Sequence, residues 1–84
     1  MYQIIFDKQA ERQFRKIDSQ NQKRILDKLQ LLKENPHFGI PLTGNLVGLW
    51  KLRIGDYRAT YRIQNQELIV LIIKVGHRKN IYDN

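Results

Sequence analysis

A basic surface is predicted on one side of a β-hairpin in the second half of the chain. The segments Leu49–Ile54 and Tyr57–Ile63 alternate with a period of two, which is typical of half-buried strands. Between them, Gly55-Asp56 suits a two-residue turn with glycine at its first central position. This turn pairs Arg53 with Arg58, so that their side chains share one side of the hairpin. That side, called the basic face below, consists of Lys51, Arg53, Arg58, Thr60 and Arg62.

Two arginines that face each other across a strand pair favour an anionic ligand between them. Like charges in this position destabilise the pair by something on the order of 0.2–1 kcal/mol, and a bound anion would offset that cost. Any one basic residue, taken alone, is explained by the wet side of a half-buried sheet. The opposite side of the hairpin is predicted to be the floor on which helices pack, and consists of Trp50, Leu52, Ile54, Tyr57, Ala59, Tyr61 and Ile63.

A second polar cluster follows the last predicted strand, Leu68–Val75, which is apolar on both faces as expected inside a sheet. The cluster consists of His77, Arg78, Lys79 and Tyr82. In an antiparallel meander we expect this exit to lie level with the non-turn end of the hairpin, near Lys51. His77 and Arg78 would then reach the basic face. The alternative is a polar strand exit with Tyr82 packed back on the domain.

Composition limits the kinds of function that these clusters can serve. The 84 residues suffice for one domain, residues 1–84, and carry 15 Lys and Arg against 8 Asp and Glu, a net charge of +7. Nucleic acid, an anionic membrane surface and an acidic protein are all consistent with that charge. The chain has no cysteine, which excludes disulfides, zinc–thiolate sites and thiol nucleophiles. No spacing of His, Asp and Glu indicates a metal, and no glycine-rich phosphate loop precedes a helix.

Two apolar segments bear on the predicted localisation, because both are too short to direct the chain to a membrane. Residues 1–6 are too short and too soon followed by Asp7 to be a signal peptide. The longest apolar run, Leu68 to Ile73, is far below the length of a membrane span. We therefore expect a cytoplasmic protein that does not associate with a membrane.

The elements that position the two clusters predict an α+β fold. A short strand at residues 2–6 is followed by a helix that Asp7 caps, with Ala10, Phe14 and Ile17 on one stripe. Ser19 and Gln22 form a capping-box pattern that opens a second helix, with Ile25, Leu29 and Leu32 on its apolar stripe. Asn35-Pro36 ends this helix, and residues 35–48 are predicted to be an ordered loop. The helical hairpin then packs on one twisted sheet, completed by a three-stranded antiparallel meander.

These segments together resemble the RelE/ParE superfamily of toxins, and more closely its RelE branch. The resemblance spans nearly the whole chain. Its most specific parts are Gly48-Leu49-Trp50-Lys51-Leu52-Arg53-Ile54-Gly55-Asp56-Tyr57-Arg58 with Tyr61, and Val75-Gly76-His77-Arg78 leading to Tyr82. The resemblance implies a ribonuclease without cofactor or metal that cleaves messenger RNA in the A site of the 30S ribosomal subunit. It also implies a cognate, RelB-like antitoxin as a partner.

Site roles follow from the same motifs. Lys51 and Arg53 match two basic residues that the family has on one strand. Arg58 matches the arginine that follows the aromatic residue of the hairpin. Arg78 and Tyr82 match the arginine and the tyrosine of the family's C-terminal segment. Arg53 departs from a frequent lysine, and a guanidinium cannot act as a base. The spacing from Arg78 to Tyr82 is also shorter than in the best-known RelE.

RNA transesterification needs a base, charge stabilisation and a proton for the leaving oxygen. Lys51 is the best base, since neighbouring cations disfavour its charged form, while Arg53 and Arg58 hold the phosphate oxygens. Arg78 would neutralise the leaving oxygen, with His77 the better proton donor if it points inward.

Three further residues would act on the RNA rather than on the reacting bonds. Tyr82 would stack on a base, and Arg62 and Lys79 would bind RNA. Two alternatives to the nuclease remain: a ParE-like toxin that inhibits DNA gyrase, and a plain RNA-binding module.

Overall fold

A computed structural model describes residues 1–80 and has the α+β architecture predicted from the sequence. Among the described residues, three α-helices follow the first strand along the chain and precede the other four strands. The helices are α1 (Lys8–Arg15), α2 (Ser19–Leu29) and α3 (Leu31–Glu34). The strands are β1 (Gln3–Phe6), β2 (Ile40–Pro41), β3 (Leu49–Ile54), β4 (Tyr57–Gln64) and β5 (Ile69–His77). No helix among residues 1–80 is long and apolar enough to cross a membrane.

The five strands form one mixed sheet in the order β1-β5-β4-β3-β2. The pairings from β5 to β2 are antiparallel, whereas β1 runs parallel to β5. The helices cover one side of this sheet, and the side turned away from them is called the outer face below. The core between helices and sheet contains Ala10, Ile25, Leu29, Leu32, Leu52, Ile54, Ala59, Tyr61, Val70, Ile72 and Val75.

The predicted hairpin is confirmed in turn, register and facing. Ile54 pairs with Tyr57 and Arg53 with Arg58, which leaves Gly55-Asp56 as the two turn residues. Gly55 has φ +60°, a conformation that costs glycine little and that suits the first position of this kind of turn. The side predicted as the helix floor does pack against the core, so the basic face lies on the outer face of the sheet.

The helix starts are partly as predicted. The Asp7 carboxylate accepts a hydrogen bond from the Ala10 N–H at 2.9 Å and caps α1. The capping role predicted for Ser19 is wrong, because Asp18 is the N-cap of α2 and its carboxylate accepts from the Asn21 N–H at 3.2 Å. Hydrogen bonds from Asn21 lower the pKa of the Asp18 carboxyl. A carboxylate is at least as good a cap as a hydroxyl, so the helix simply starts one residue earlier.

The predicted loop at residues 35–48 contains a strand that the sequence did not reveal. Ile40 and Pro41 pair with Lys51 and Trp50 and extend the sheet beyond β3. The buried Tyr61 holds this segment, since its hydroxyl donates to the Pro36 carbonyl at 2.7 Å and accepts from the Gly39 N–H at 3.1 Å.

Glycine is required at position 39. A Cβ there would lie 2.5 Å from both the Lys51 carbonyl oxygen and the Tyr61 hydroxyl.

The same tyrosine gives a pH-dependent prediction. Burial raises the pKa of the Tyr61 hydroxyl, and the hydrogen bond with Gly39 acts in the opposite direction. The folded state therefore holds this proton more tightly than the unfolded chain, so its contribution is complete below about pH 10 and is lost as the pH rises further. Tyr61→Phe should lower the free energy of unfolding by about 1–3 kcal/mol at pH 8. Urea unfolding between pH 8 and pH 11 should show a smaller alkaline loss for the variant; parallel curves would contradict this.

Candidate functional site

On the outer face of β3, β4 and β5, cationic side chains form two adjacent rows, each of which runs across neighbouring strands. Arg53 and Arg58 form the row next to the hairpin turn, in the predicted pairing. The next row consists of Lys51, Thr60 and Lys74, one on each strand. Arg53 is exposed, whereas Lys51, Arg58 and Lys74 are half-buried. Two guanidinium groups and two ammonium groups thus lie within two rows of a single sheet.

Thr60 lies on the predicted side of the sheet but is only 4% exposed. The predicted side is therefore confirmed, and the burial of Thr60 shows that this side of the sheet is not solvent-exposed throughout. Across the sheet it is flanked by two long side chains, those of Lys51 on β3 and Lys74 on β5. The centre of this face is therefore a short hydroxyl residue between two lysines.

Lys74 is the site residue that the sequence reasoning missed. Val70 and Ile72 face the core, so plain alternation would bury Lys74 as well. The ladder between β4 and β5 is instead irregular at Thr60/Tyr61, where Thr60 pairs with Lys74 and Tyr61 with Ile72. The extra residue, Ile73, reverses the alternation, as β-bulges do. Val75 then faces the core, and Lys74 the outer face.

The same reversal overturns the placement predicted for His77. It pairs with Tyr57 and lies on the helix side of the sheet, where the two rings meet edge to face at 5.4 Å between centroids. Its Nδ1 accepts a hydrogen bond from the Lys79 N–H at 3.1 Å. The ring lines a pocket with residues of α1 and the α1–α2 connection, among them Gln13 and Asp18. His77 therefore does not reach the basic face.

The exit of β5 also lies at the other end of the hairpin from the one predicted. In a meander the third strand ends level with the turn that joins the first two, and not level with their free ends. The Arg78 N–H accordingly donates to the Asp56 carbonyl at 2.8 Å, and the Arg78 Nε lies 3.9 Å from the Asp56 carboxylate. Arg78 thus belongs to the turn end, next to the row of Arg53 and Arg58, and lies farther from Lys51 than expected.

The other predicted residues lie around this centre. Arg62 is exposed on the outer face and pairs with Leu49 and Leu71, beyond the row of Lys51. Lys79 is exposed in the turn that follows β5. Tyr82 lies outside the described residues.

Basic residues of α2 join the site at its edge. Arg24 and Lys28 line a groove together with Arg53. The groove that joins Arg53 to α2 thus contains three cations together with the acidic Asp27.

The chemistry available at this surface is that of cations. Among residues 1–80, no three His, Asp or Glu side chains come together as a metal site would require. Guanidinium groups remain charged and bind phosphate oxygens in pairs, whereas a lysine can exchange a proton. The two rows combine both types, so they can bind a phosphodiester and move protons beside it.

The chain is similar to known toxins over most of its length. A family model described as the ParE toxin of type II toxin–antitoxin systems, parDE, matches residues 4–82. Toxin RelG of Mycobacterium tuberculosis (strain ATCC 25618 / H37Rv) is 40% identical over 52 residues, which are 62% of this chain and 60% of RelG. A RelE-like toxin protein of Escherichia coli is 28% identical over 80 residues, which are 93% of this chain and 84% of that protein.

A solved structure shows the same fold. One chain of the toxin–antitoxin complex RelBE2 from Mycobacterium tuberculosis superposes with a TM-score of 0.85 at 30% sequence identity. The superposition covers 92% of this chain and 98% of that one. The family match includes strands β3 and β4, which carry the basic face, and β5, which carries Lys74.

Proposed function

The chain belongs to the RelE/ParE superfamily of toxins of type II toxin–antitoxin systems, and on that premise we propose that it is a ribosome-dependent endoribonuclease. It would cleave messenger RNA in the ribosomal A site, in the cytoplasm, and so inhibit translation. The observation that carries this proposal is the pairing of Arg53 with Arg58 on the outer face, one row from Lys51. A phosphodiester is an anion that such a row can bind, since each guanidinium can hold two phosphate oxygens.

The reaction that these residues permit is attack of the RNA 2′-hydroxyl on the adjacent phosphorus. Lys51, in its neutral form, would take the 2′-hydroxyl proton. Arg53 and Arg58 would hold the non-bridging oxygens, where negative charge increases in the transition state. The bond from phosphorus to the 5′-oxygen breaks, that oxygen takes up a proton, and the products are a 2′,3′-cyclic phosphate and a 5′-hydroxyl end.

Residues around the two rows would bind and orient the RNA. Arg78, whose backbone N–H donates to the Asp56 carbonyl at the turn end, would neutralise charge on the departing 5′-oxygen. Arg62 and Lys79, both exposed, would bind RNA phosphates on either side of the cleaved bond. Tyr82 would stack on a base of the codon.

The rival function is inhibition of DNA gyrase, and the description of the matching family as a ParE toxin is the observation that favours it. The two functions are separated by adding the purified protein to ribosomes that translate a defined messenger RNA and mapping the new 5′ ends. Cleavage inside A-site codons is the result that we expect. Intact RNA, together with gyrase-dependent breaks in DNA, would favour the rival.

A cognate antitoxin, RelB-like in kind, is the second partner that we propose. The similar Mycobacterium tuberculosis toxin was solved in a complex with its antitoxin. With a net charge of +7, this chain should bind an acidic or amphipathic segment. We expect that segment to lie over the basic face and to cover Arg53, which is exposed in the free toxin.

The structure of the complex with the antitoxin tests this prediction. Cleavage of ribosome-bound RNA should fall in proportion to the antitoxin added. A complex in which Arg53 keeps the exposure that it has in the free toxin, with the two rows undistorted, would contradict occlusion as the means of inhibition.

A further inference from the structure

We infer that Lys74 is the general acid of the reaction, the group that gives a proton to the departing 5′-oxygen. The inference rests on the proposed ribonuclease function and adds a catalytic residue to it. It starts from the row in which Lys51 and Lys74 flank Thr60 on the outer face.

The β-bulge at Ile73 places Lys74 there. Without the extra residue, Lys74 would point into the core beneath the helices, beside Ile72. The strand beyond the bulge is anchored from α1, since the Val75 N–H donates to the Gln13 side-chain oxygen at 2.9 Å. Bulges occur next to active sites, where they re-aim a side chain. Here the bulge turns an ammonium group onto the surface that already carries Lys51.

The spacing of the two lysines suits an in-line displacement. In phosphoryl transfer the attacking and leaving oxygens lie on opposite sides of the phosphorus. Lys51 and Lys74 are separated by one strand, so their Cα atoms lie about 10 Å apart. Arg58, on that strand, is a diagonal neighbour of both. A phosphate held by Arg58 above Thr60 would present one reacting oxygen to each lysine.

A proton donor is needed at the leaving oxygen, and Arg78 and His77, the two residues predicted for that role, do not supply one. Arg78 is at the turn end, but its guanidinium stays protonated and serves as a charge, not as an acid. His77 packs on Tyr57 on the helix side of the sheet. Among residues 1–80, no carboxylate lies within ion-pair distance of the half-buried Lys74. Within that part of the chain, no carboxylate competes with a phosphate for its ammonium group.

In the complete step, Lys51 accepts one proton and Lys74 donates one. The neutral Lys51 amine accepts the proton of the 2′-hydroxyl, and the 2′-oxygen forms a bond to phosphorus. The bond from phosphorus to the 5′-oxygen breaks with its electron pair on that oxygen, which takes a proton from the Lys74 ammonium. Lys51 ends protonated and Lys74 neutral, and exchange with water restores both.

Replacing the leaving oxygen by sulfur tests the assignment. Ribosomes carrying a defined A-site codon are prepared with either the natural 5′-oxygen or a 5′-bridging sulfur at the cleaved bond. A thiolate leaves without a proton, so a general acid matters only for the oxygen substrate. Lys74→Met should lower the single-turnover rate ~10²-fold on oxygen and leave the rate on sulfur at the parental value. Lys74→Arg, which keeps the charge but not the acidity, should behave like Lys74→Met.

The remaining outcomes overturn the assignment in distinguishable ways. Equal losses on both substrates, or full activity of Lys74→Arg on oxygen, would make Lys74 a phosphate-binding cation. No loss on either substrate would remove it from the reaction. A parental protein that cleaves neither substrate would overturn the proposed function itself. Circular dichroism of each variant confirms that the sheet is intact, and Lys51→Met, whose defect sulfur should not repair, is the matched control.

Discussion

Replacing Lys51 by methionine is expected to lower the single-turnover rate of RNA cleavage by ~10²- to 10⁴-fold, the usual contribution of a general base. Methionine keeps much of the side-chain length and removes the amine. Lys51 is half-buried, and its backbone carries the pairing of β2 with β3, which a side-chain change leaves in place. The rate is measured at saturating toxin on programmed ribosomes, so that docking does not limit it.

Lys51→Arg distinguishes a base from a phosphate-binding charge. An arginine preserves the positive charge and cannot accept a proton, so it should be nearly as slow as the methionine variant. A Lys51→Arg protein that cleaves at the parental rate would contradict the role of Lys51 as the base.

The second large effect is expected for Arg58→Ala. Arg58 lies beside the turn, opposite Arg53 and diagonal to both lysines, so it should interact more strongly with the transition state than with bound RNA. By analogy with the removal of one oxyanion donor, its loss should cost ~10²-fold or more in the single-turnover rate. Binding to the ribosome should change much less.

Arg12→Ala is the matched control, because it removes an exposed arginine from α1, on the other side of the sheet. It should cleave at the parental rate once the toxin saturates the ribosomes. If Arg58→Ala also cleaves at that rate while keeping its fold, the basic face is a binding surface and not a catalytic one.

The hairpin could be predicted from the sequence because its determinants are local. Alternating residues fix which side of each strand is buried. The Gly55-Asp56 turn fixes how the two strands pair, and only one residue of each strand separates it from Arg53 and Arg58. Strand β2 was missed for the opposite reason. It has two residues, one of them a proline, and its position depends on the hydroxyl of Tyr61, which lies 22 residues away from Gly39 in sequence.

The bulge in β5 left no local signal. Residues 68–73 are all apolar, so no alternation reveals where the strand changes its facing. An internal strand with both faces buried or half-buried tolerates the extra Ile73. The extra residue reverses the side of the sheet on which the following residues lie. The sequence pattern therefore does not reveal Lys74, and it predicts the wrong side of the sheet for His77. One inserted residue decides which side of the sheet the following side chains face, so their side must be read from the strand pairing in the structure.

Cleavage of messenger RNA in the ribosomal A site is best tested by the chemistry and the position of the cut. A ribosome that carries one defined codon in its A site is incubated with the purified toxin, and both new RNA ends are analysed. We expect a single cut within that codon, a 2′,3′-cyclic phosphate on the upstream fragment and a 5′-hydroxyl on the downstream fragment, all formed at least ~10²-fold more slowly with Arg58→Ala. Uncut RNA at saturating toxin, or ends with a 5′-phosphate, would contradict the account.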